Sequence, residues 1–169
     1  MIRAVGKALA AMTSVAAVAT GVTAVASASP PPPQPAWLKI DGIAQMGGMN
    51  FLHIVANGQR NMAGATTGDY AATVLLAGMP TGIQVVGPVT CISVHKDTAS
   101  LIYPISGVRP LGDFPAGLKD AQAIQVSVRK AMPGHPAQVG LNGPMATGSF
   151  HGCEPGPTPM MFTGTIDAG

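Results

Sequence analysis

Two cysteines, four histidines and a surplus of methionines are the side chains of this 169-residue chain with the most chemistry to offer. Cys91 and Cys153 form a single even pair, which in an oxidising compartment reads as one disulfide. Closing a span of that length contributes about 4 kcal/mol in the loop-entropy description. The competing reading is two separate buried thiols. His53, His95, His135 and His151, with Met46, Met49, Met62, Met79, Met132, Met145, Met160 and Met161, supply imidazole and thioether, the ligand set that suits copper. No two of these histidines share a ligand-type spacing, and Met46-Gly47-Gly48-Met49 is a lone pair rather than a methionine run. Methionine otherwise fills irregular gaps in a core short of aromatics. Copper is therefore the third of the functional readings, and no metal or cofactor ligand is assigned.

Nucleophilic catalysis fares no better. Gly148-Ser149-Phe150-His151-Gly152 places its serine one position too early for a nucleophile elbow. Cys153 and His151 are close in sequence, which is not the spatial arrangement that thiol catalysis needs. The seven acids stand mostly beside Gly, Lys or turns, and no phosphate-binding loop or dinucleotide fingerprint is present. No catalytic residue is assigned, and the chain reads as a non-enzyme.

The amino-terminal stretch explains the charge balance. Arg3 and Lys7 precede an uncharged Ala/Val/Thr run, and Ala26-Ser27-Ala28 closes it as a small-x-small cleavage site. That order predicts a signal peptide over 1–28 and a secreted or envelope location. So Ala- and Thr-rich a run is a poor membrane anchor, so no stable span is expected after cleavage. Beyond residue 28 there remain seven basic residues (nine less Arg3 and Lys7) against seven acids. A neutral domain without a basic cluster gives phosphate backbones nothing to neutralise, so nucleic acid is not expected as a partner.

Residues 29–36 form a Pro-rich linker, and 37–169 suffice for a single domain. There the periodicity is that of strands. Ile124, Val126 and Val128 alternate with Gln125, Ser127 and Arg129. A β-branched run over 89–94 and an alternating run over 99–105 flank a short turn at 95–98, predicting a hairpin. Weaker strands fall at 37–40, 49–56, 69–77, 83–86 and 161–166. With Gly and Pro at the junctions, these predict an all-β fold, an antiparallel sandwich or small barrel of seven or eight strands. The Gly/Pro-rich segment 131–159 breaks the spacing and reads as one long loop. Loops of that length are usually functional, and it gathers His135, Phe150, His151 and Glu154, so it is the expected contact region for a protein or envelope partner.

The runs 86–94, 99–107 and 124–128, with Thr163-Gly164-Thr165-Ile166 near the end, resemble a broad group of small exported β-rich proteins of actinobacteria without assigned function. The likeness covers roughly 64–166. It departs at Arg129-Lys130-Ala131-Met132, where the group usually has an Asp-Asn-Gly turn. The resemblance implies a secreted β domain and carries over no site residues. The leading functional expectation is a non-enzymatic interaction module. The alternative is a carrier with an apolar cavity for a lipid or other small ligand, which a filled core would argue against.

Overall fold

The computed structural model describes residues 34–169; the signal region 1–28 and most of the linker lie outside the described residues. The described chain is all-β. Its strands are β1 (Ala36–Met46), β2 (Met49–Arg60), β3 (Thr66–Leu76), β4 (Met79–Pro88), β5 (Cys91–His95) and β6 (Thr98–Pro104). They continue as β7 (Gly107–Arg109), β8 (Gly112–Asp113), β9 (Gln122–Arg129), β10 (Gln138–Ala146) and β11 (Met160–Ala168). A single antiparallel sheet holds all eleven, in the order β5-β6-β9-β10-β11-β1-β2-β3-β4-β7-β8. It curls into a half-barrel, and β5 comes back against β1, β2 and β3.

Eleven strands replace the expected seven or eight for identifiable reasons. β7 and β8 are only three and two residues long, too short to show periodicity. β10 lies inside the stretch read as a loop: Gln138–Ala146 pairs with β9, and a single 3-10 turn follows at Thr147–Ser149. The hairpin expected at 95–98 forms, with His95 opposite Thr98. The run at 89–94 divides. Val89 and Thr90 carry the chain between the two halves of the sheet, their amides donating to the Gly68 and Ile102 carbonyls, and the strand starts at Cys91.

The curl has a sequence cause. β1 buries alternate residues, Ala36, Leu38, Ile40 and Ala44, and spends Gly42 on the same side. Gly42 faces Gly164 across the β1–β11 pair, and Gly58 faces Gly68 across β2–β3. A Cβ at Gly42 would stand 2.6 Å from the Phe162 ring, and one at Gly58 would stand 2.9 Å from Ile92. Gly164 and Gly68 sit at φ +150 and +151. Cross-strand glycine pairs let backbones approach and the sheet coil where side chains would hold it flatter.

The concave side is filled. Leu38, Ile40, Ile54 and Ala72 from one half meet Ile92, Leu101, Val126, Val128 and Val139 from the other. Tyr70 and Tyr103 stack at its centre, ring centroids 3.6 Å apart and 14° from parallel. Among the described residues no helix is long and apolar enough to cross a membrane.

Candidate functional site

The outer face of β5, β6 and β9 carries polar side chains in register. Ser93 faces Ser100, which faces Ser127, and in the next row Cys91, Ile102 and Gln125 align. Alternation alone predicts this face to be solvated, yet Ser93, Ser100, Gln125 and Ser127 are all buried. A strap formed by residues 150–159 lies over them. Ser100 Oγ donates to the Cys153 carbonyl and Gln125 Nε2 to the Glu154 carbonyl at 2.7 Å, while the Gly156 amide donates to Ser127 Oγ at 2.8 Å. The row of hydroxyls and an amide is thus the complement of an extended backbone, satisfying groups that burial would otherwise leave costly.

The strap brings Cys153 beside Cys91. In the structure both are free thiols, Cys153 buried and Cys91 half-buried, packed with Ile102, Ala123 and Phe150. Hydrogen bonding from the Cys153 thiol holds Cys91 below the ordinary thiol value. The Arg60 guanidinium adds to this, and burial and Glu154 oppose it. Cys153 is pushed up, first by its bond to Cys91 and then by burial.

Beside them, Glu154 Oε2 lies 2.6 Å from His95 Nε2, and Ser93 Oγ lies 2.9 Å from that same nitrogen. A Ser-His-acid relay needs the hydroxyl on one ring nitrogen and the carboxylate on the other. Here both meet Nε2, so the trio lacks that geometry, and its contacts join the strap to β5.

The other histidines are dispersed. His53 on β2 pairs with Asp41 on β1 at 3.0 Å, His135 bridges to Met132 in the β9–β10 turn, and His151 is exposed in the strap. Among the described residues no three of His, Cys, Asp and Glu come together as metal ligands. The expectation of a long free loop over 131–159 is also corrected. Nine of its residues are β10, and its end is the strap.

Of the surface depressions among the described residues, two are set apart by their lining. A groove of about 590 Å³ over β2, β3, β4 and β7 is lined by Asn57, Asp69, Gln84, Arg109, Lys119 and Asp120. Its charges alternate in sign, and Ser106 Oγ is engaged by Asp120 at 2.8 Å. A second, of about 460 Å³, lies between the β1–β2 and β3–β4 turns, lined by Met49, Phe51, Leu75 and Leu76. Met46 is 57% exposed, Met49 72%, Leu76 74% and Met79 69%. These residues close the two hairpins as the pairs Met46–Met49 and Leu76–Met79. Sequence reading noticed Met46 and Met49 only as potential metal ligands. The missed signal is Gly47-Gly48 between apolar residues, a tight-hairpin signature that sets its flanks at a tip.

A scan of the chain against protein-family models finds no match, nor do searches of curated proteins and of solved structures.

Proposed function

We propose that this chain is a non-enzymatic interaction module of the cell exterior or envelope, the location being what its likeness to small exported actinobacterial β proteins implies, and that it makes contact through the β1–β2 and β3–β4 turns. One observation carries the reading. Four large apolar side chains stand more than half exposed on adjacent tight turns, where the fold has no use for them. Contiguous exposed apolar surface on a folded domain commonly marks a contact site. The filled concave side favours a module over a carrier, since its interior space is taken by Tyr70, Tyr103 and the aliphatic core. The Ser93-His95-Glu154 geometry lends no support to hydrolysis.

Fractionation of the producing cell tests this. The tagged chain is expected in the washed envelope fraction, its amino terminus at residue 29 or 27. The double variant Met49→Glu/Leu76→Glu should be displaced at least tenfold toward the medium, while Met62→Glu, on the opposite β2–β3 turn, should not. Identical distribution of wild type and double variant would overturn the proposal.

A further inference from the structure

The occupant of this apolar end follows from what surrounds it. Between Asp41 and His53 the β1–β2 hairpin has no Asp, Glu, His, Lys or Arg, and between Asp69 and His95 the chain has none either. Asp41 and His53, the first ionisable groups down the hairpin, are paired with each other at 3.0 Å. At about 3.3 Å per residue, His53 lies roughly 13 Å below Met49. An apolar face resting on a bilayer enters it by about 5–10 Å, so the charge-free depth is sufficient.

Polar side chains at this end are also paired within the fold, which lowers the cost of contact with hydrocarbon. Both turns are closed by strand pairing out to Met46–Met49 and Leu76–Met79. Gln45 Nε2 donates to Asn50 Oδ1 at 2.7 Å, Thr81 Oγ1 donates to the Val74 carbonyl at 3.0 Å, and Gln84 Nε2 donates to Thr73 Oγ1 at 3.1 Å. Neither hairpin carries a cation over this span. Arg109 pairs with Gln84, five residues along β4 from Met79, and Arg129 stands level with Gln45 but three strands to the side, through Gln138 and Met161. Apolar tips, paired strands and arginines behind or beside them are the profile of an interfacial anchor. The Gly-based turns make the tips convex, two fingers that enter a fluid surface more readily than they receive a rigid one.

We infer that the paired β1–β2 and β3–β4 turns insert into a lipid surface, seating the domain on a membrane without spanning it. This rests on the interaction reading above and names its partner. The chain as exported by its expression host, its amino terminus read by mass spectrometry, is sedimented with phosphatidylcholine vesicles at low and high salt. The wild type is expected to co-sediment with little salt dependence, Met49→Glu/Leu76→Glu to lose at least tenfold in apparent affinity, and Met62→Glu to bind as wild type. Both turn residues are so exposed that the variant should fold, which circular dichroism checks. In a Trp37→Phe background, Leu76→Trp should show blue-shifted emission on adding vesicles. A wild type that stays in the supernatant, a double variant that binds as well as wild type, or binding abolished by salt would each overturn the lipid assignment. If vesicles are ignored while the double variant still leaves the envelope fraction, the lipid partner is wrong and the interaction module stands. A dimer in sedimentation velocity that the double variant loses would likewise overturn lipid in favour of a second copy.

Discussion

Tyr70 and Tyr103 are the only tyrosines of the chain, and both are among its most buried residues. In a core built, apart from Phe162, from Ala, Val, Ile and Leu, their stacked rings supply the bulk that joins the two halves of the curled sheet. Burial raises both phenols: Tyr70 well above its ordinary value with further help from the Tyr103 phenol, and Tyr103 likewise, partly offset by Tyr70. The sign of the linkage follows. A phenol whose folded value is raised keeps a proton that the unfolded chain would release above about pH 10. Its contribution to stability is intact below that pH and is lost as the pH climbs beyond it. Phenolate absorbance should therefore stay flat on alkaline titration of the folded protein, then rise for both tyrosines together at the unfolding transition. A single tyrosine ionising at its ordinary value before any loss of structure would show the stack to be open.

At the level of elements, the strap is where a covalent bond would act. An exported chain with Cys91 and Cys153 in contact is proposed to form the bridge, and non-reducing peptide mapping should find the two peptides joined. Reduction, or Cys91→Ala, should remove up to about 4 kcal/mol. Amides of 150–159 should then exchange faster, while those of β1 to β3 keep their protection. Two freely alkylated thiols in the exported protein would overturn the bridge. The same element explains what could be read from the sequence. Ile124, Val126 and Val128 announced β9 because their alternation is local. Their outward neighbours Gln125 and Ser127 looked solvated because the backbone that covers them comes from about thirty residues away. β10 stayed hidden because Gly140 and Pro144 read as turn residues. A Cβ at Gly140 would run into the Pro157 carbonyl, so that glycine marks strap against strand, not a bend. The apolar turns were missed both as hairpins and as a site, and only strand order shows that the two lie side by side.

Across the whole molecule the charges are few and the apolar side chains uneven, so that one end of the β1 to β4 layer differs in kind from the rest. That layer is made of sequence neighbours paired antiparallel, and so are β5–β6 and β9–β10. The strand between them is not: β11 separates β10 from β1 in the order of the sheet, although it is the last strand to be made. A ribosome therefore releases two patches of sheet with a gap between them. The edges facing that gap, on β1 and β10, remain bare until β11 emerges. Non-local pairing of this kind slows folding, and bare edges invite pairing with other chains. Deleting 160–168 should freeze the protein at that stage, giving a product that scatters light and loses cooperative melting. A monomeric, cooperatively melting truncation would mean that the halves recognise each other unaided. With β11 required, this domain cannot close its sheet until that strand has been made, and up to then the chain stays open to any machinery that acts on unfolded polypeptide.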